Sequence, residues 1–260
     1  MEPDWIEIYP RQRRGALRIV SHNTFWFQGV PFFDDQPPAP QPFILERLAS
    51  MYEALRPDVL CLQEIHDESS LERLSEHLGI SHVYRPGGAF PQYGGAVFSR
   101  WPMALMPLGA EAELDRVHMY VRLYIDDHVI SLANLHLPSN RHRGRDGGPR
   151  QRLWEINYAL TRAGNRPDIV LGDFNEEPHG SCSSVLRSDD YVDTAVLCGA
   201  HSTGSGINPR SRLDQIWLRG DRTPWLHTYF VVPPERMAIE DHEKTHLSDH
   251  LPIGIDIVLS

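Results

Sequence analysis

Four times in this chain a short apolar run stops at residues that bind cations or move protons. Leu17–Val20 leads into Ser21-His22-Asn23, and Asp58–Leu62 into Gln63-Glu64. Val129–Leu135 leads into His136, and Asp168–Leu171 passes through Gly172 into Asp173-Phe174-Asn175. Runs of this length, rich in β-branched residues and bounded by turn formers, read as buried strands. Glycine lets the backbone turn sharply where a strand stops, so Asp173 and Asn175 stand at a sheet's end with nothing folded over them. Such a chain is constrained to sheets whose ends carry the chemistry. Singly, each residue has a plain structural use: Asp173 caps a turn, Asn175 satisfies the local backbone, and His136 is a bonded core histidine. The repetition is what argues for function.

The rest of the chain fits around these strands. Leu45, Leu48, Met51, Tyr52 and Leu55 recur at helical spacing until Pro57 stops the run. Ser69-x-x-Glu72 has the form of a capping box opening a helix that ends at Gly79. His82–Tyr84 and Gly95–Ser99 read as strands. Met119–Ile125 and Val129–Leu135 make a hairpin turned at Asp126-Asp127. A loop with Arg141, Arg143, Arg145 and Arg150 then precedes a helix from about Arg152 to Ala163. Ser181–Leu186 is helical, Leu213–Leu218 and Thr228–Val232 are strands, and Ile253–Leu259 alternates cleanly. Roughly ten strands against four helices, with hairpins, suit an α/β sandwich of two mixed sheets with helices outside. Nothing divides the chain, so residues 1–260 are expected to form a single domain.

Composition narrows the function. Hydrophobic residues are 41% and charged residues 23%, ordinary for a globular protein that builds a substantial core. No apolar run approaches the roughly 18 residues of a membrane span. The opening MEPDWIEIYPRQRRG lacks an apolar signal-peptide core, so a cytoplasmic location is expected. Three scattered cysteines with no CxxC argue against a disulfide framework or a thiolate zinc site. A net charge of −10 excludes a general nucleic-acid sponge, though not a nuclease with a local basic strip.

Two more features join the strand ends: Asp214 inside an otherwise apolar strand, and Ser248-Asp249-His250 just before the last one. Strand termini on one edge of a sandwich converge, and uncompensated carboxylates there repel unless a cation is present. Oxygen-rich ligands without cysteine favour Mg²⁺ or Mn²⁺. Histidines beside aspartates supply groups that titrate near neutrality. Together they suit in-line attack of water on phosphorus, where charge building on the equatorial oxygens must be met.

These residues resemble the endonuclease/exonuclease/phosphatase superfamily of metal-dependent phosphoesterases. Asn23, LQE at Leu62–Glu64, GGAVFSR at Gly94–Arg100, NLHLPS at Asn134–Ser139, GDFN at Gly172–Asn175, RLDQIWL at Arg212–Leu218 and LSDHLPI at Leu247–Ile253 follow the family's order. The resemblance implies a four-layer αββα sandwich with its active site at one edge. It implies Glu64 as the principal metal ligand, with Asn23 and Asp249 nearby. Asp173, helped by Asn175, would orient or deprotonate the attacking water. His250, held by Asp214, would be base or phosphate contact, and His136 would stabilise or protonate the leaving oxygen. Arg100, Arg141, Arg143 and Arg145 are the candidate substrate grips, the last three on the arginine-rich loop beyond His136.

The expected activity is a Mg²⁺- or Mn²⁺-dependent hydrolase, chiefly a phosphodiesterase acting on nucleic acid or a nucleotide-like diester. A phosphatase or a sphingomyelinase-like phospholipid phosphodiesterase is the alternative on the same fold. His22-Asn23 replaces the WN dipeptide of abasic-site nucleases, and GGAVFSR differs from the motif of inositol-polyphosphate phosphatases. A binding protein without chemistry is the alternative from another class. No protein partner is implied. His242-Glu243-Lys244-Thr245-His246 matches the HExxH of zinc peptidases, but that motif works only on a helix, and prolines surround it here.

Overall fold

The computed structural model of the chain describes residues 11, 15–109, 113–162, 166–200, 204–207, 211–240 and 243–259. The apolar runs become strands of two six-stranded sheets. β1 (Leu17–Asn23), β2 (Val59–Ile65), β3 (Ser81–Arg85) and β4 (Gly94–Ser99) start the first sheet. β5 (Met103–Met106), β6 (His118–Ile125), β7 (His128–His136), β8 (Ile169–Asp173), β9 (Tyr191–Asp193) and β10 (Asp214–Arg219) build the second. β11 (Leu226–Val231) and β12 (Ile253–Ile257) return to the first, so that the orders are β11-β12-β1-β2-β4-β3 and β5-β6-β7-β8-β10-β9.

Each sheet holds one parallel pair, β1 with β2 and β7 with β8, among antiparallel neighbours. A parallel pair needs a crossover, usually a helix. α1 (Pro42–Leu55) supplies the first and packs beside α2 (Glu68–Leu78) on the outer face of its sheet. α3 (Asn140–Arg162) supplies the second and packs with α4 (Ser181–Ser188) outside the other sheet. Between the sheets lies a core that includes Ile19, Cys61, Val97, Val121, Leu171, Ile216, Ile253, Ile255 and Ile257. The layers are therefore αββα, as the resemblance implies. Each fully buried isoleucine of β12 contributes roughly 1.5–3 kcal/mol.

The parallel pairs fix where the site falls. The C-terminal ends of β1, β2, β7 and β8 meet at one edge, and β10 and β12 begin there. The opposite end is closed by buried ion pairs. Arg18 clamps Asp256 through Nε and Nη2 at 2.8 Å each, and Asp58 accepts the Arg18 backbone N–H at 2.8 Å.

Three local readings are corrected. The cap of α2 is Asp67, whose carboxylate accepts from the N–H groups of Ser69 and Ser70, rather than the Ser69 box. The arginine-rich stretch is helical: α3 starts at Asn140 and kinks at Gly144. Gly144, Gly147, Gly148 and Pro149 disguise it, and tertiary contacts override their propensity. Arg143 grips Asp115 with two bonds of 2.8 and 2.5 Å, and Arg152 donates to the Pro138 carbonyl at 2.7 Å. The strand Met103–Met106 was not expected, because four residues carry too little period to read.

Candidate active site

Two glycines let the strand ends approach. At Gly172 (φ +128°) an added Cβ would lie 1.9 Å from the Leu135 carbonyl oxygen, and at Gly95 it would lie 2.7 Å from that of Leu62. Next to them, Gln63 and Asn134 tie the sheets together through a 2.7 Å bond from Gln63 Nε2 to Asn134 Oδ1. The polar residues flanking the acid in LQE and the histidine in NLH are thus the bolts of the sandwich.

Glu64 is the extra residue of a β-bulge between Gln63 and Ile65, with φ +57°. A bulge re-aims a side chain, and Thr24 Oγ1 secures the turned backbone by donating to the carbonyls of Gln63 and Glu64 at 3.1 Å each. Asn175 also has positive φ, +48°. Backbone held in this region by its surroundings is frequent at functional sites.

Asp173 is the hub. Its Oδ1 accepts the Asn175 N–H at 2.8 Å. Its Oδ2 accepts from Asn23 Nδ2 at 3.1 Å and Asn175 Nδ2 at 3.2 Å, with His136 Nε2 at 3.2 Å and His250 Nε2 at 3.8 Å. Burial would raise its carboxyl pKa, but His250, His136 and Arg116 outweigh burial and hold it well below the usual carboxylate range. His250 Nδ1 lies 2.7 Å from Asp214 Oδ2. Burial alone would lower the imidazole, but Asp214, Asp249 and Asp173 raise it well above its ordinary value. Burial pushes Asp214 up. His136 is lowered to about 3 by burial and then by Arg116, so it is neutral. Ser248 supports the group by donating to the Asn23 carbonyl at 2.8 Å and accepting the His250 N–H at 3.1 Å.

Glu64 and Asp249 complete the edge. Glu64 is raised to about 7 by burial and then by Asp249. The enclosed Oδ1 of Asp249 and the nearby Asp173 raise that acid too. Glu64 Oε2 and Asp249 Oδ1 are enclosed and have no hydrogen-bond partner among the described residues. Two crowded carboxylates with orphaned oxygens are stable only with a proton or a cation between them. The donors are all oxygen, which fits a hard divalent ion. Asp173, Asp214 and His250 also bring donor atoms within 4.8 Å of one another. Most of those atoms are already engaged as an ion pair and amide acceptors, so Glu64 and Asp249 are the better seat.

The expected site residues Asn23, Glu64, His136, Asp173, Asn175, Asp214, Asp249 and His250 therefore come together. The arginines separate. Arg100 follows the far end of β4, where its Nε is 3.3 Å from Asp58 Oδ1, and it has no place at this edge. Arg143 is spent on Asp115. Arg141 reaches the rim, where Nη2 donates to the Phe33 carbonyl at 3.3 Å. Arg145 is exposed on α3. Of the HExxH stretch, His242 lies outside the described residues, and Glu243–His246 is not helical, so the peptidase geometry is missing.

Sequence reasoning missed Arg116 and Tyr93. Arg116 Nη1 contacts His136 Nε2, Nη2 donates to Ser139 Oγ at 2.9 Å, and the guanidinium lies 4.1 Å from the Tyr93 ring centroid. An arginine ahead of β6 has no local signature. His22, visible in the sequence only as Asn23's neighbour, bonds Tyr52 Oη at 2.6 Å and the His250 carbonyl at 3.2 Å, so it is a strut under the site.

Fold and edge together define a hydrolase of the αββα sandwich class. The model of the Endonuclease/Exonuclease/phosphatase family matches residues 20–250, and the chain belongs to that family, whose members hydrolyse phosphate esters. The human Nocturnin catalytic domain with bound sulfate is similar at 21% identity and TM-score 0.63, over 95% of this chain and 96% of that one. D. rerio TDP2 complexed with a single-strand DNA product is similar at 16% and 0.67, over 95% and 100%. A family protein from Bacteroides thetaiotaomicron is similar at 16% and 0.69, over 94% and 98%. No curated protein matches the sequence. No helix among the described residues is long and apolar enough to cross a membrane.

Proposed function

We propose that the chain is a Mg²⁺- or Mn²⁺-dependent phosphodiesterase acting on single-stranded nucleic acid or a nucleotide-like diester. One observation carries this reading: an ionised Asp173 held between two histidines, facing the orphaned oxygens of Glu64 and Asp249. Glu64, Asp249 and Asn23 would hold the divalent ion, which supplies Lewis-acid polarisation of a phosphoryl oxygen. Asp173, with Asn175, accepts a hydrogen bond from the attacking water and sets it in line with the scissile P–O bond. So depressed a carboxylate is a weak base, and its task is orientation. The His250 imidazolium meets negative charge on the phosphoryl oxygens, and Asp214 keeps it protonated. His136 is neutral and has no proton to spare; with Arg116 it stabilises the departing oxygen.

The nucleic-acid preference is supported by the rim and by what zebrafish TDP2 binds in its solved complex. Phe25 packs on Phe32 and Phe90 stacks on His142, all four part-exposed, and Phe33, whose carbonyl accepts from Arg141, is 86% exposed. Exposed rings next to cations suit unpaired bases. The test is hydrolysis of bis-p-nitrophenyl phosphate with Mg²⁺, Mn²⁺ or EDTA, followed by single-stranded DNA and RNA. Glu64→Ala, Asp173→Asn and His250→Ala should each cut turnover by about 10²–10⁴-fold with the fold intact. Near-wild-type turnover in all three, or release indifferent to EDTA, overturns the reading.

A further inference from the structure

Asp168 and Asp173 flank β8 from opposite ends, on the order of 17 Å apart at about 3.3 Å per residue. At the Asp168 end, remote from the catalytic edge, a cavity of about 880 Å³ opens on the second sheet. Tyr120, Arg122, Tyr124, Arg166, Arg219 and Arg222 line it, and Asp168 is the one acid in that lining. We propose that this cavity is a second binding site, for a phosphate-bearing small molecule with a flat body, of the mononucleotide kind.

Charge comes first. Four guanidinium groups line it in a chain whose net charge is −10, against Asp168 in the lining and Asp221 and Asp189 beside it, which pair with Arg219, Arg222 and Arg166. Asp168 is already saturated. Its Oδ1 takes Arg219 at 2.9 Å and Arg222 at 2.7 Å, while its Oδ2 accepts from Ser131 N–H and Oγ at 2.8 and 2.7 Å. Asp168, Asp189 and Asp221 together balance three of the four guanidinium groups and leave the charge of Arg122 in excess. The Arg122 side chain makes no hydrogen bond or ion pair with a described residue. Arg166 has Nε 3.0 Å from Asp189, but its Nη2 is buried without a hydrogen-bond partner among the described residues.

A second, independent observation points the same way. Tyr120 is 4% exposed, and its hydroxyl is buried with no hydrogen-bond partner among the described residues. Enclosing a hydroxyl this way is costly unless something completes it. An unsatisfied Tyr O–H, an unsatisfied Arg166 N–H and the unpaired Arg122 fork share one lining, whose acid Asp168 is already engaged. Planar guanidinium forks match phosphate oxygens two at a time. The volume far exceeds a phosphate ion, since one water occupies about 30 Å³. At the mouth, Tyr124 is 43% and Val129 57% exposed, giving aromatic and aliphatic surface for a flat body.

The test titrates the EDTA-treated full chain with AMP, inorganic phosphate and adenosine by calorimetry. AMP should bind one site more tightly than phosphate, with adenosine much weaker. Arg122→Ala, at a half-buried position, should weaken AMP at least about tenfold, the loss of one charge-assisted bond. Tyr120→Phe should weaken it less, and metal-dependent turnover of bis-p-nitrophenyl phosphate should stay unchanged in Arg122→Ala. Asp173→Asn should leave AMP binding intact, which separates this site from the catalytic edge. No binding at millimolar AMP, or binding that Arg122→Ala leaves unchanged in a folded protein, overturns the site. Phosphate binding as tightly as AMP overturns the nucleotide body.

Discussion

Asp214→Asn is the sharpest probe of the site, because it removes one charge and almost no volume. Asp214 Oδ2 lies 2.7 Å from His250 Nδ1, and among the acids that raise the imidazole Asp214 acts most strongly. A hydrogen bond to a charged group contributes about 1.5–3 kcal/mol, equivalent to about one to two pKa units or a ten- to hundredfold change in rate if the full difference reaches the transition state. Turnover should therefore fall about ten- to hundredfold. His250→Ala, which removes the imidazole itself, should cost more, about 10²–10⁴-fold. The double variant should be no slower than His250→Ala, because Asp214 acts only through His250. The assay is kcat on bis-p-nitrophenyl phosphate at saturating Mg²⁺, with urea midpoints for all three proteins. Asp214 Oδ1 has no hydrogen-bond partner among the described residues, so an Asn amide there gains none and stability should fall by no more than about 1–3 kcal/mol. Turnover of Asp214→Asn within twofold of the parent, or a double variant showing the product of both losses, refutes the reasoning.

Three further outcomes are expected. Asp256→Asn leaves Arg18 charged and buried at the closed end of the sandwich, so urea denaturation should show a loss of about 3–5 kcal/mol, while kcat of the folded fraction stays unchanged. Gly172→Ala drives a Cβ onto the Leu135 carbonyl oxygen, and either insoluble expression or a fall of several degrees in Tm should follow, roughly 2–4 °C for each kcal/mol at this size. His22 is lowered to about 3 by burial and so stays neutral when folded; the unfolded chain, near 6.5, takes up a proton first. Stability of the EDTA-treated protein should thus decline as pH falls from 6.5 toward 3, by about 2 kcal/mol at pH 5 from this group, and urea midpoints of His22→Asn should show a shallower decline.

The strands, and the acids at their ends, are legible because both signals are local: β-branched runs with turn chemistry directly after them. Asn23, Glu64, Asp173 and Asp249 each announce themselves within a few residues, and the hairpin at Asp126-Asp127 does the same. Arg116 does not. Its place over Tyr93 and against His136 comes from β6 lying beside β7, a pairing no short window contains. Arg100 failed for the complementary reason. It is covalently part of the GGAVFSR motif, but Gly94 begins at the catalytic edge and a strand's length carries Arg100 to the other end. The bulge at Glu64 and the early start of α3 are likewise set by packing rather than by propensity.

β12 lies between β11 and β1, in the interior of the first sheet, although it is made after every other strand. Until it has left the ribosome, β1 has an open flank where Ile253, Ile255 and Ile257 will pair, and the His22 ring has no His250 carbonyl to bond. The strand that closes the interior of the first sheet therefore also sets one of the two bonds of the strut beneath the catalytic edge. Turnover, where it is measured, should therefore be lost together with the seating of this one strand.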